Sequence, residues 1–122
     1  MKRFIAIIFS LVVFVGCGGF SRQEREVIYR GEGDIMQVMS IANREDSLLL
    51  RRVSEPMDEK MVGSEELATL CRRMLATVKD PANEGVGIAA PQVGLLRRMV
   101  AVQRFDKVGE PFEFFLNPEI IA

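Results

Sequence analysis

The clearest periodic pattern in the chain predicts one long helix. Apolar residues recur there at spacings of three and four positions, which places them along one face of a helix. These residues are Leu67, Leu70, Cys71, Met74 and Val78. Ser64 precedes them as a capping residue, two acidic residues follow where the helix dipole is positive, and Asp80-Pro81 ends the run. We therefore predict a helix from about Glu65 to Lys79, with Cys71 as a small buried hydrophobic residue.

Shorter apolar runs predict strands after this helix. Residues 98–103 and 112–116 have the pattern of two strands joined by a turn through residues 106–109, so we expect a hairpin. Asn117-Pro118 interrupts the second run, and the final apolar residues, 119–122, have the pattern of a further strand that is cut short. Together with the long helix, these runs predict an α+β fold in which one long helix packs on antiparallel strands.

The residues before the long helix are less regular. Residues 35–41 form an apolar segment for which we predict a strand, and the polar residues 43–47 predict a turn. Residues 48–53 are expected to be extended or to form a short helix. Glu55-Pro56 should end this segment, because the residue before a proline avoids helical geometry. Residues 18–34 are rich in glycine and charge, with little to bury, and predict a tether that holds a short helix at residues 24–29.

The start of the chain has the pattern of an export signal. Two cations precede a run of 12 mostly apolar residues, 4–15, which as a helix is about 18 Å long and thus shorter than a bilayer core of about 30 Å. The following Val15-Gly16-Cys17 resembles the lipobox of bacterial lipoproteins, although Phe14 stands where leucine is more usual. We expect residues 1–16 to be a lipoprotein signal peptide, with Cys17 lipidated; the alternative is an ordinary signal peptide with a chance cysteine.

Composition narrows the possible partners. The chain has 122 residues, 16 basic and 17 acidic side chains, two cysteines and no histidine. Cleavage before Cys17 would leave 14 basic and 17 acidic residues, a charge of −3, which offers neither nucleic acid nor anionic lipid a basic surface. Any membrane attachment would therefore come from the lipid, and we expect an exported, membrane-anchored lipoprotein of a bacterial cell envelope.

The string GVGIAAPQVG, residues 85–94, is the segment that indicates chemistry. Its glycines satisfy a bare dinucleotide-binding pattern, but that pattern requires a strand before it and a helix after it, which this context does not provide. A second interpretation is purely structural: a glycine-rich turn that leads into a buried apolar segment. The third interpretation uses all eight residues from Gly85 to Gln92.

Residues 85–92 resemble the first motif of peptide deformylases, GxGxAAPQ, at every specified position. Residues 50–57 are similar to that family's early segment, the predicted helix to its first long helix, and Leu116-Asn117-Pro118 to its asparagine-proline strand. The resemblance covers residues 35–122 in one consistent order. It implies a domain division into a signal peptide (1–16), a tether (17–34) and the N-terminal part of a peptide-deformylase-like domain (35–122).

The resemblance implies hydrolysis of the formyl group of N-formylmethionyl peptides. In that family a divalent metal such as iron, zinc or nickel makes bound water nucleophilic, and the glutamine of the first motif donates its amide hydrogen to the oxyanion. By motif position that glutamine is Gln92. Gly87 would lie where the family's backbone binds the substrate, and Val86 and Ile88 would flank the pocket for methionine.

The chain departs from the family in its metal ligands. The family's EGCLS and HEXXH motifs are absent, and Cys71 precedes the first motif on a helix, so we expect no metal site in this chain. Either the chain is the N-terminal part of a longer deformylase, or it is a complete, non-catalytic relic. A non-catalytic, lipid-anchored peptide-binding module of the envelope is the rival function, and a small lipoprotein with coincidental similarity is a third possibility.

Overall fold

The protein is described by a computed structural model covering residues 18–121, which has the predicted α+β fold. Its helices are α1 (Arg22–Tyr29), α2 (Arg44–Leu50) and α3 (Glu65–Lys79). Its strands are β1 (Gly87–Ala89), β2 (Met99–Gln103) and β3 (Phe112–Leu116), paired antiparallel in the order β1-β2-β3. Residues 1–17, with the predicted signal peptide and Cys17, lie outside the described residues. None of the described helices has the length and apolarity to cross a bilayer.

Helix α3 has the predicted bounds and contributes more buried core residues than any other single helix or strand. The Ser64 hydroxyl accepts a hydrogen bond from the Leu67 amide at 3.1 Å, and Asp80 ends the helix. Leu70, Met74 and Val78 are buried, while Leu67 and Cys71 are only partly buried against the core. Cys71 is thus a half-buried member of the stripe, and burial raises the pKa of its thiol, which keeps the sulfur protonated.

The predicted hairpin is also confirmed. Strands β2 and β3 pair from Met99 opposite Leu116 to Gln103 opposite Phe112. The end of β3 is fixed by Asn117, whose side-chain oxygen accepts from the Met57 amide at 2.6 Å and whose side-chain nitrogen donates to the Met57 carbonyl at 3.0 Å. The Asn117 carboxamide thus bonds both backbone groups of Met57, as a paired strand would, and so joins the segment before α3 to the hairpin.

Two strand predictions are wrong. Residues 35–41 are extended without strand pairing: the Met36 amide donates to the Thr77 hydroxyl at 2.8 Å, and the Met39 amide donates to the Gln92 carbonyl at 2.7 Å. Their partners are a helix side chain and a turn, which cannot continue a ladder. Residues 118–121 form no strand either, since no described segment pairs with them, and Ile120 is 100% exposed.

The predicted turn at residues 43–47 is mostly helix. Asn43 is the N-cap of α2, and its side-chain oxygen accepts from the Asp46 amide at 3.0 Å. Glu45 and Asp46 then occupy the first turn, where negative charge is favourable. The polar residues that indicated a turn are therefore the capping signal of a short helix.

Helix α1 lies within the predicted tether, but this segment buries more than expected. The predicted short helix is present, with a capping box in which the Ser21 amide donates to Glu24 and the Glu24 amide to Ser21. Phe20 and Ile28 are buried in the core. The apolar residues of the helix are confined to its last turn, which is a weak signal in the sequence, yet Ile28 packs the segment against the core.

Acid titration of the hairpin loop gives a first prediction. Hydrogen bonds from the Arg104 guanidinium lower the pKa of Asp106 to about 2, with one at 2.8 Å. Because the pKa is lower in the folded state, the pair's stabilisation is present above the ordinary value of 3.8 and is lost as the pH falls through about 2. NMR titration should place the Asp106 midpoint near 2. A midpoint at the ordinary value would contradict the pairing.

Candidate functional site: the Gln92 turn

The GVGIAAPQVG segment folds as a short strand followed by a tight turn. Strand β1 runs antiparallel to β2, with Gly87 opposite Val102 and Ala89 opposite Val100. A single 3-10 turn, Ala90–Val93, follows directly, and Gly94 ends it in the left-handed conformation with φ of 95°. We call residues 89–94 the Gln92 turn. No long helix follows the strand, so the dinucleotide-binding interpretation is excluded by geometry as well as by context.

The Gln92 side chain folds back onto the start of its own turn. Its Oε1 accepts a hydrogen bond from the Ala89 amide at 2.8 Å, which is the side-chain half of a capping box. A backbone N–H can only donate, so the atom that faces it must be the carboxamide oxygen. The oxygen is therefore used in capping, while the Nε2 group has no hydrogen-bond partner among the described residues and is exposed with its side chain.

The backbone of the Gln92 turn is held from several directions. The Gln92 carbonyl accepts from the Met39 amide at 2.7 Å, and the Ala90 carbonyl accepts from the Leu95 amide at 3.0 Å. Gly94 provides the positive φ that lets the chain reverse, a conformation that costs other residues about 1–2 kcal/mol. Ala90 and Val93 are buried in the core. These contacts give the Gln92 side chain a fixed base.

The three predicted substrate-binding residues have different environments. Val86 is 58% exposed just before β1, Gly87 is exposed on β1, and Ile88 is buried in the core. The buried Ile88 side chain anchors β1 to the domain, so any pocket for methionine would be reached from the Val86 and Gly87 side. Strand β1 has β2 on one side and, within residues 18–121, no strand on the other. Its outer edge can therefore accept an extended peptide.

Gly87 lies in close contact with the neighbouring strand. A Cβ atom at this position would lie 3.2 Å from the Ala101 carbonyl oxygen of β2, closer than ordinary packing allows. We expect Gly87→Ala to lower the free energy of unfolding by about 1–3 kcal/mol, because backbone must move to admit the methyl group. Gly85→Ala is the matched control, since its Cβ would meet nothing closer than 3.7 Å. Equal urea midpoints for the two variants would contradict the close approach.

A shallow cavity of about 200 Å³ lies against the other side of the turn. It is lined by Ala89 and Pro91 together with residues of the hairpin and of the segment before α3. Its lining is mostly apolar, apart from two arginines and a serine. Gln92 itself does not line this cavity. Its side chain lies instead beside the Ala89 amide at the end of β1.

The described residues do not fit a catalytic metal. No group of three or more His, Cys, Asp or Glu side chains between residues 18 and 121 is arranged to hold an ion. Cys71, the cysteine in this range, packs against the core from α3 and has a raised pKa, which disfavours the thiolate that a metal binds. The candidate site therefore consists of an open strand edge and an exposed carboxamide.

Comparison with known proteins decides the family. The sequence model described as "Polypeptide deformylase" matches residues 38–122. The chain belongs to the polypeptide deformylase family. The match contains α2, α3, the whole sheet and the Gln92 turn, and it begins after α1. The family assignment made from GxGxAAPQ is confirmed.

Individual deformylases agree with this assignment over part of their length. The chain is 40% identical over 86 residues to a peptide deformylase of Clostridium botulinum, and 32% identical over 93 residues to one of Leptospira biflexa. These matches cover 70% of this chain but only 52% and 49% of the two relatives. The chain thus spans about half the length of the deformylases that it matches.

Solved deformylase structures share the fold. The actinonin-bound class I type b peptide deformylase of Acinetobacter baumannii superposes with a TM-score of 0.59 at 27% identity, covering 74% of this chain and 53% of that one. A complex of the same enzyme described as bound to Met-Ala-Ser gives 0.57 at 29% identity, covering 72% of this chain and 55% of that one. The neighbour thus has structures with a peptide and with actinonin.

The sequence predicted the position of Gln92 but not the hydrogen bonds that fix its side chain and its backbone. The capping contact to Ala89 is local and has a signal, since glutamine three residues after a cap is a known pattern. The contact from Met39 joins residues 53 positions apart and has no local signal. The role of Gly87 inside the sheet was also missed, because only the paired strand shows which carbonyl approaches it.

Proposed function

We propose that this chain forms the peptide-recognition part of a deformylase, specific for N-formylmethionyl peptides. The observation that carries the proposal is the hydrogen bond from the Ala89 amide to Gln92 Oε1. That bond leaves the Nε2 hydrogens available to a carbonyl oxygen beside the open edge of β1. The bound Met-Ala-Ser named for the Acinetobacter baumannii enzyme supports a peptide of this class.

The chemistry of deformylation explains why a fixed amide is useful. Hydrolysis of a formamide develops negative charge on the formyl oxygen, and a donor that is already oriented stabilises this charge without reorganisation. Because Gln92 Oε1 accepts the hydrogen bond from the Ala89 amide, the carboxamide would present its Nε2 group, and not its oxygen, to the formyl oxygen. The edge of β1 would bind the peptide backbone, with Gly87 exposed at that edge.

The metal and its ligands are proposed to come from outside these 122 residues. The chain has no histidine, and its described residues form no ligand cluster, so by itself it should bind peptides without releasing formate. This same observation favours the second candidate function, a non-catalytic peptide-binding module. The two differ in one respect: only the deformylase part should become hydrolytic when the missing half is supplied.

Calorimetric titration tests the recognition proposal. N-formyl-Met-Ala-Ser should bind the chain with one site, about three- to tenfold more tightly than Met-Ala-Ser, which corresponds to one net hydrogen bond to the formyl oxygen. Formate should not accumulate. Equal affinities for the two peptides, or no binding at millimolar concentrations, would contradict recognition of the formyl group.

Lipid attachment at Cys17 is proposed from the sequence, and it would place the domain in the bacterial cell envelope. The Val15-Gly16-Cys17 pattern supports this location. Radiolabelled palmitate should enter the wild-type chain in a bacterial host and should not enter the Cys17→Ser variant. Equal labelling of the two proteins, or none in either, would overturn the anchoring proposal.

A further inference from the structure

Helix α1 contacts the end of the Gln92 turn although it precedes the residues that match the family. Gly94, which ends the turn, packs beneath Val27: a Cβ atom on Gly94 would lie 3.6 Å from Val27 Cγ1 and 3.8 Å from Met39 Cε. Val27 is partly buried against the core. The backbone after Gln92 therefore lies next to a helix from outside the matched range of residues 38–122.

A paired charge fixes the same helix to the backbone just beyond the turn. The Arg97 guanidinium donates to both carboxylate oxygens of Glu24, at 2.6 and 3.1 Å, and to the Pro56 carbonyl at 2.7 Å. The Arg97 and Glu24 side chains are only 14% and 18% exposed, so solvent screens the pair weakly. Burial alone would raise the pKa of Glu24, but the bonds from Arg97 and Ser21 hold it below its usual value.

A buried arginine fixes the far end of the helix. Arg73 of α3 donates to the Ile28 carbonyl at 2.6 Å and to the Arg30 carbonyl at 2.8 Å. These carbonyls belong to the C-terminal end of α1, where helix carbonyls lack partners within the helix and attract a cation. Arg73 is buried, and its Nε atom has no partner. Burial of this arginine with an unpaired Nε atom costs free energy. Its hydrogen bonds hold the C-terminal end of α1 against α3.

We propose that α1 is a positioning element for Gln92, acting through Val27 at Gly94 and through the Glu24–Arg97 pair. Both contacts reach the chain within five residues of Gln92, and Val27 approaches Gly94 together with Met39. The helix does not touch a reacting atom. It limits the positions that the turn can adopt, and so keeps the Gln92 oxygen on Ala89 and the Nε2 group at the edge of β1. The effect of this positioning on peptide binding rests on the proposed role of Gln92.

Hydrogen exchange of the full chain tests this role without any ligand. The Ala89 amide reports the capping bond to Gln92, and the Leu70 amide, in the middle of α3, reports global unfolding. In Val27→Ala and in Glu24→Gln, protection at Ala89 should fall roughly tenfold further than protection at Leu70. Arg22→Ala is the matched control, because it breaks only the exposed pair of Arg22 with Glu26 on the same helix.

The outcomes separate positioning from simple stabilisation. Equal losses at Ala89 and Leu70 would mean that α1 only stabilises the domain, and unchanged protection at Ala89 would mean that the turn is independent of α1; either result overturns the inference. The same variants should bind N-formyl-Met-Ala-Ser about three- to tenfold more weakly. If the wild-type chain binds no formyl peptide, the proposed function fails, while the exchange result still decides whether α1 positions the turn.

Discussion

Replacement of Gln92 by alanine should lower kcat for deformylation by ~10²–10³-fold in a chimeric enzyme that adds the half of a deformylase that this chain does not match. This is the usual effect of removing one oriented donor from a developing oxyanion. The completed enzyme would join residues 18–121 of this chain to the part of the Clostridium botulinum deformylase that the match does not cover, about half of that protein. Release of formate from N-formyl-Met-Ala-Ser measures the rate.

Gln103→Ala provides the control for this substitution. Gln103 also donates one side-chain hydrogen bond, to the Glu110 carbonyl at 3.1 Å, but it lies at the far end of β2 in the hairpin. Its removal should change kcat less than about threefold, since its side-chain hydrogen bond is to Glu110 of the hairpin loop and not to the Gln92 turn. Equal losses in the two variants would show that Gln92 contributes only to folding. A completed enzyme without activity would favour the non-catalytic peptide-binding module.

Replacement of Leu70 by alanine should lower the free energy of unfolding by about 3–5 kcal/mol. Leu70 is fully buried at the centre of α3, and a buried Leu→Ala change leaves a cavity in addition to losing apolar contact. Domains of this size are stable by only about 5–15 kcal/mol, so the variant would lose a large part of its stability. Urea denaturation followed by circular dichroism measures the change.

Leu48→Ala is the matched control, because the same side chain is removed from α2 at a position that is 55% exposed. Its unfolding free energy should fall by less than about 1 kcal/mol. Similar losses at the two positions would contradict the description of α3 as the main contributor to the core.

The elements that the sequence predicted well are those whose pattern is local. Helix α3 has its capping residue, its apolar stripe and its terminating proline within 18 positions, and the hairpin has two alternating runs around one turn. The segment at 35–41 has an equally apolar composition, but its partners are Thr77 and Gln92. Such partners are distant in sequence, so composition alone suggested the wrong element.

Buried polar residues on α3 were the main omission. Thr69, Arg73 and Thr77 are buried beside the apolar stripe, although their polarity indicated a solvent-facing side. Thr77 accepts from Met36, and Arg73 donates to the end of α1. Because both partners precede the matched family region, no motif could identify them. The same reason explains why the packing of α1 against the core was not predicted, although its helical structure was.

The candidate site was predictable only in part. The octapeptide identified Gln92 and the family, since its residues are contiguous in sequence. The burial of Ile88, the sheet contact of Gly87 and the position of Val27 beside Gly94 depend on pairing between β1 and β2 and on packing of α1. These contacts arise from tertiary structure, and the sequence carries no short-range signal for them.

The orientation of the Gln92 amide can be measured directly by ¹⁵N–¹H NMR of the full chain, titrated with N-formyl-Met-Ala-Ser and separately with Met-Ala-Ser. This orientation predicts that the Gln92 Nε2 signals shift in a saturable manner with the formylated peptide only, while the Ala89 amide stays hydrogen-bonded. Gln92 signals that remain unchanged while other residues respond, or that respond equally to both peptides, would contradict it.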